Sequence, residues 1–269
     1  MPQTVAVLGT GKIGEALLSG MIRAGWRPAD LLVTTRRPDR AEKLRDRYGV
    51  EAVTNAEAAK SADILILAVK PQDMGTLLAE LAPHVTPDRL VISAAAGITT
   101  GFIEDSLADG TPVVRVMPNT PVLVDEGMSV ISAGSHATAE HVGHAETIFG
   151  GVGKTLRVPE SQQDAATALS GSGPAYFYFL VEAMTDAGIL LGIPRAQAHD
   201  LIVQAAIGAA VMLRDSGEHP VKLREAVTSP AGTTISAIRE LENHGVRAAL
   251  IAALEAARDR SRELASGNG

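Results

Sequence analysis

Residues 4–14 read Thr-Val-Ala-Val-Leu-Gly-Thr-Gly-Lys-Ile-Gly, a short β-branched run that stops at a glycine cluster. A strand followed at once by Gly-x-Gly-x-x-Gly is the start of a βα unit in which each glycine has its own task. Gly9 permits a tight turn, Gly11 lets backbone approach a pyrophosphate, and Gly14 allows the helix to pack closely on the strand. The free N–H groups and the dipole at such a helix start favour an anion. A tight turn without ligand would use the same residues, so the surrounding pattern has to choose between the two readings.

Working outward, the alternation continues. A helix is expected from about Ile13 to Ala24 and a charged one near Asp39 to Tyr48, with strands at Leu31–Thr35, Val50–Val53, Asp63–Val69, Leu90–Ala94, Val113–Met117, Met128–Ile131 and Thr155–Val158. Continuously apolar strands separated by helices are what a parallel sheet covered on both faces requires. The expectation for residues 1–158 is an α/β domain with a doubly wound sheet that binds a dinucleotide. Beyond about Pro159 the strand signal ends, and residues 159–269 read as an all-α domain with helices at Gln163–Leu169, Pro174–Leu191, Arg195–Ser216, Val221–Val227, Thr233–Glu242 and Val246–Ala265. The 269 residues thus divide into two domains, each punctuated by Gly and Pro.

Composition excludes several classes. The chain has no cysteine, which removes disulfide frameworks and thiol nucleophiles. The apolar run Leu201–Leu213 is broken by Gln204 and reads as too short to cross a bilayer, and no basic segment precedes the first apolar stretch. A soluble cytoplasmic protein is expected. A net charge of −7, with 24 basic and 31 acidic side chains, argues against a nucleic-acid binder. His136, His141 and His144 cluster, but on a polar stretch with no carboxylate at ligand spacing, so they read as surface histidines and no metal is expected.

Local charge is more informative than the total. Thr34–Arg47 holds six basic residues (Arg36, Arg37, Arg40, Lys43, Arg45, Arg47) against three acidic ones (Asp39, Glu42, Asp46). An NAD-preferring domain would place a carboxylate on the adenosine 2′-hydroxyl about here. Thr34, Thr35, Arg36 and Arg37 offer hydroxyls and guanidinium forks instead, which suit a 2′-phosphate and predict NADPH over a weaker NADH. From Arg40 onward an ordinary solvated helix start explains the charges equally well. Val69, Lys70 and Pro71 end one strand, and Ala94–Gly97 end another with small residues that leave room for a nicotinamide or for a closely packed helix.

In the helical part, Arg195–Ser216 is apolar almost all round, and half of the eight aromatics stand together as Tyr176, Phe177, Tyr178 and Phe179. A domain of this size cannot bury such helices alone, so a second subunit is expected to cover them. Two loops are unusual: Ser170–Tyr176 (SGSGPAY) and Val227–Ile235 (VTSPAGTTI), the second carrying four hydroxyls between Thr228 and Thr234 ahead of a helix. Capping explains one or two of these hydroxyls; a bound carboxylate explains the rest.

GTGKIG, AVKPQ at Ala68–Gln72, RVMPNTP at Arg115–Pro121, SGSGPAY and VTSPAGTT together resemble the pyrroline-5-carboxylate reductases over nearly the whole chain. The resemblance implies an N-terminal Rossmann-type domain, an all-α dimerisation domain that interlocks with a partner, and NAD(P)H-dependent reduction of 1-pyrroline-5-carboxylate to L-proline, the last step of proline biosynthesis. Larger rings of dimers also occur in the family. By position, it implies Leu8, Gly9, Thr10, Gly11, Lys12, Ile13, Arg37, Asn55, Val69, Lys70 and Ala96 as cofactor residues, to which the glycine motif, the basic window and the strand ends add Gly14, Arg36, Pro71, Ala95 and Gly97; Arg36 and Arg37 stand where other members often carry smaller polar residues. Glu160, Ser229, Thr233 and Thr234 match its substrate positions; Gly232 joins them from the reading of the helix start, and Thr234 is expected to hydrogen-bond the ring nitrogen as hydride arrives. Pro230-Ala231-Gly232 departs from the more usual Pro-Gly-Gly, so Ala231 must accept that loop's backbone angles or the loop must differ. A 3-hydroxyacid dehydrogenase of the same two-domain plan is disfavoured because Lys222, the one lysine of the helical part, lies in no glycine-rich motif. A non-catalytic NADPH-binding module would not need the two substrate-type loops.

Overall fold

The computed structural model describes residues 3–265. Eight strands, β1 (Val5–Leu8), β2 (Leu31–Thr34), β3 (Glu51–Ala52), β4 (Ile64–Leu67), β5 (Leu90–Ser93), β6 (Val113–Met117), β7 (Gly127–Ala133) and β8 (Gly153–Arg157), form one sheet in the order β3-β2-β1-β4-β5-β6-β7-β8. Around it lie α1 (Lys12–Arg23), α2 (Pro38–Tyr48), α3 (Asn55–Ser61), α4 (Met74–Leu81), α5 (Thr100–Glu104) and α6 (Ala139–Gly150). The strand order reverses between β1 and β4, and the carboxyl ends on either side of such a switch point form a ligand crevice.

The strands are buried throughout because both faces are covered. Val5, Val7, Val33, Ile64, Ile66 and Ile92 pack on one side with α1 and α6, and Ala6, Leu8, Leu65, Leu67 and Val91 on the other with α3 and α4. The expected doubly wound α/β sheet is therefore present, with one difference. β6 and β7 pair antiparallel, while β7 and β8 run parallel to each other. The connection from β6 to β7 is only a short 3-10 turn at Thr120–Val124, and without a full helical crossover the chain must return in the opposite direction.

Beyond β8 come α7 (Gln163–Ala166), a π-helical turn at Thr167–Gly171, α8 (Gly173–Leu190), α9 (Arg195–Ser216), α10 (Pro220–Ala226), α11 (Thr233–Asn243) and α12 (Val246–Ala265). By packing, the chain separates into two compact units, which divide between Ser172 and Gly173. The second unit runs from Gly173 to Ala256, and the last turns of α12, from Ala257, return to the first, where Ser261 Oγ donates to Asp164 Oδ1 at 2.7 Å. Taken as a single chain, the second unit leaves Phe177, Tyr178, Phe179, Leu190, Leu191, Leu201, Ile207 and Met212 exposed. The whole of α9 spans 22 residues, so it is long and apolar enough to cross a membrane by length and composition, contrary to the shorter estimate from Leu201–Leu213 alone. Only 6% of its apolar window is buried within the chain, so the expected need for an outside partner stands.

Candidate active site

The glycine loop is built as its sequence demands. Gly9 has φ +90°, and a Cβ there would lie 2.7 Å from Val69 Cγ1 and 3.0 Å from the Ala68 backbone, so the β1 and β4 ends meet through it. A Cβ on Gly14 would come within 2.5 Å of Gly9 O, which is why the third position tolerates no side chain. Gly11, by contrast, faces open space. It is also the N-cap of α1 and carries no side-chain cap, so the first-turn amides of Lys12, Ile13 and Gly14 lack intrahelical acceptors at the carboxyl end of β1. This open, uncapped helix start fits a pyrophosphate.

Thr34 closes the back of the loop. Its carbonyl accepts from Gly9 N (3.3 Å), Thr10 N (3.4 Å) and Thr10 Oγ1 (3.2 Å), tying β2 to the turn. The basic window then divides by role. Arg40 bonds Thr10 O at 3.2 Å and pairs with Glu15, which also accepts from Arg47 Nη1 (3.1 Å) and Tyr48 Oη (3.0 Å). These residues hold α2 against α1. Burial pushes the Glu15 carboxyl up, but the hydrogen bonds from Arg40 and Tyr48 and the charges of Arg40 and Arg47 outweigh it and hold Glu15 below the usual carboxylate range.

Arg36 and Arg37 remain at the mouth. Arg36 reaches Asp73 at 3.2 Å, linking the turn after β2 to the turn after β4, and Arg37 pairs with Asp39 at 2.6 Å. The Asp39 bond raises the Arg37 pKa, and the same bond lowers that of Asp39. Both guanidiniums are largely exposed, and exposed pairs of this kind are weak enough to yield to a phosphate. Val69, Lys70 and Pro71 follow β4, and Ala95, Ala96 and Gly97 follow β5, so these groups gather at one edge of the sheet. Asn55, at the start of α3, spends its amide on Glu80 at 2.7 Å.

Two residues absent from the sequence-based set shape the same edge. Asn119, after β6, donates to Ser170 O at 3.0 Å and accepts from Met128 N at 2.9 Å, pinning the π-helical turn. Arg115 is 3% exposed in the middle of β6, and a charge inside the apolar run VVRVM was the available signal. Its Nη1 lies 3.3 Å from Glu160 Oε1. Both oxygens of Glu160 are engaged, accepting from Thr100 N at 2.8 Å and Thr100 Oγ1 at 2.6 Å.

The second unit carries the hydroxyl-rich loop. Gly232 N donates to Ser229 O at 3.1 Å, closing a turn with Pro230 and Ala231 at its centre, and Ala231 has φ +58°. A Cβ on Gly232 would fall on Ser229 Oγ. Gly232 is the uncapped N-cap of α11, so the first-turn amides of Thr233, Thr234 and Ile235 are left for an anion. Thr228 Oγ1 is taken by Arg224 O at 2.6 Å, whereas the Ser229, Thr233 and Thr234 hydroxyls have no protein partner among the described residues.

Of the histidines, His141 Nδ1 accepts from Thr138 N at 3.1 Å in a capping box, and His144 Nε2 lies 3.2 Å from Gln3 Nε2. No group of three metal-ligating side chains occurs among the described residues.

Comparison with known proteins gives these features a family. Residues 160–264 match the family described as pyrroline-5-carboxylate reductase dimerisation, and residues 4–97 match NADP oxidoreductase, coenzyme F420-dependent. A pyrroline-5-carboxylate reductase of Corynebacterium melassecola is 46% identical, with 97% of this chain and 98% of that one covered. The chain belongs to the pyrroline-5-carboxylate reductase family. A solved pyrroline-5-carboxylate reductase of Coxiella burnetii superposes with TM-score 0.93 at 36% identity, covering 98% of this chain and 99% of that one. The Plasmodium falciparum pyrroline carboxylate reductase, solved with NADP bound, has TM-score 0.86 at 28% identity over 98% of each chain. The exposed helices α8 and α9 fall inside the region matched as the reductase dimerisation domain, which accounts for their apolar surfaces.

Proposed function

We propose that this protein reduces 1-pyrroline-5-carboxylate to L-proline with NADPH, as a homodimer assembled through its helical unit. The carrying observation is a pair of uncapped glycine helix starts, Gly11 in the first unit and Gly232 in the second, on a chain of this reductase family. Each supplies orphan N–H donors, the first suited to a pyrophosphate and the second to a carboxylate. NADPH, when bound, supplies a hydride to the imine carbon.

The protein's own residues do the holding. Gly9–Gly14 take the pyrophosphate, and Arg36 and Arg37 give up Asp73 and Asp39 to take the 2′-phosphate, which favours NADPH over NADH. Asn55, Val69–Pro71 and Ala95–Gly97 line the rest of the nucleotide site. The amides from Ser229 to Thr234 bind the substrate carboxylate. A protonated imine is already electrophilic, so positioning supplies most of the rate, and Thr234 Oγ1 hydrogen-bonds the ring nitrogen as its charge is lost.

The test mixes purified protein, imine and NADPH, follows loss of nicotinamide absorbance and identifies L-proline by chromatography. Oxidation that requires imine and yields proline is expected. Binding of NADPH without turnover would refute the assignment.

A further inference from the structure

We infer that Arg115 is a positioning residue for the nicotinamide end of the nucleotide site, acting through Glu160 on Thr100. This rests on the reading that NADPH lies along the carboxyl ends of the strands. A guanidinium in mid-strand breaks the apolar pattern of β6 and is costly to take out of water, so something must hold it there. Its neighbours in register are Ser93 on β5 and Ser132 on β7, both small, both buried and neither a counter-charge. Arg115 Nε and Nη2 have no protein acceptor among the described residues, which leaves Glu160 as the one carboxylate that pairs with it.

What Glu160 does with that support is specific. It holds the backbone amide and the hydroxyl of Thr100, the first residue of α5, in a two-point clamp. The turn that this clamp closes is Ala94–Thr99, with Gly97 at φ +73° and Ala95 and Ala96 at the sheet edge. At its near end the turn is fixed by Ala94 N on Leu67 O at 2.9 Å. Its far end depends on Thr100. Arg115 neutralises Glu160, Glu160 clamps Thr100, and the turn keeps one shape. The adenosine half of the nucleotide, on Gly9–Gly14 and Thr34–Arg37, does not depend on this chain of contacts.

Binding therefore separates this role from a merely structural one, without any imine present. Dissociation constants are measured for NADPH and for 2′-phospho-ADP-ribose, which lacks the nicotinamide, on wild type, Arg115→Met, Arg115→Lys and Thr100→Ala. Loss of one charge-assisted bond predicts about tenfold weaker NADPH binding in Arg115→Met, with 2′-phospho-ADP-ribose unchanged within about twofold. Arg115→Lys recovers part of the loss. Equal weakening of both ligands, or no weakening of either, overturns the inference. If Arg115→Met does not fold, Thr100→Ala decides by the same two criteria, since it removes only the Oγ1 half of the clamp. None of these outcomes depends on whether the imine is the substrate.

Discussion

Replacing Ala231 by glycine should stabilise the protein, against the usual direction of an alanine-to-glycine change. Ala231 has φ +58° in the turn closed by Gly232 N and Ser229 O, with Pro230 before it, so the third residue of the turn sits in left-handed space. For an L-residue that conformation costs about 1–2 kcal/mol. Glycine removes the cost but gives the unfolded chain about 0.4–1 kcal/mol of extra entropy. The difference is a net gain of about 0.5–1 kcal/mol, or about 1–4 °C in Tm for a chain of this size. Ala231 is exposed, so no packing is lost. Ala231→Val should move the other way by more than about 1 kcal/mol, because a β-branched residue is least tolerant there. Urea midpoints at one fixed protein concentration measure both variants, since subunit association would otherwise shift them. An Ala231→Gly midpoint below wild type, or Ala231→Val equal to wild type, would refute the reasoning. The same glycine should leave KM for the imine within about twofold, because the turn is retained.

Three further outcomes follow from the site. Arg37→Ala should weaken NADPH binding about tenfold and leave NADH unchanged, measured by kinetics with both cofactors; an intact NADPH preference would remove Arg37 from that role. Thr234→Ala should lower kcat about 10- to 100-fold with little change in NADPH affinity, and unchanged turnover would exclude its hydroxyl from the chemistry. Glu15 has a folded pKa below its ordinary value, so the unfolded chain takes up its proton first and stability rises with pH. The advantage of wild type over Glu15→Gln should be complete above the ordinary carboxylate pKa and vanish as pH falls through the lowered folded value, read from paired thermal melts; a pH-independent difference would contradict the Arg40 and Arg47 pairing.

Much of this site was legible because its chemistry is local. Gly9, Gly11 and Gly14 meet their three geometric tasks within six residues, and Thr233 and Thr234 follow Gly232 directly at a helix start. Residues that act across the fold were not legible. Nothing in VVRVM tells which carboxylate meets Arg115, since Glu160 lies 45 positions away. The sequence set Arg36 and Arg37 apart from the charges beyond Arg40 but could not say what those do: Arg40 and Arg47 are spent on Glu15, while Arg36 and Arg37 stay largely exposed beside Asp73 and Asp39. The π-helical turn at Thr167–Gly171 also escaped the helical periodicity, because Asn119, distant in sequence, pins its carbonyl.

By itself, then, the sequence determined the alternation of buried strands and helices, the nucleotide loop, the hydroxyl-rich helix start and the need for an outer partner on α8 and α9. Each depends on periodicity, φ preference or hydrophobicity read over a few residues. Only tertiary structure decided the reversed direction of β7 and β8, the division at Ser172 with α12 returning to the first unit, and the Arg115–Glu160–Thr100 chain of contacts. Those features depend on which distant segments come together, and no local preference encodes that.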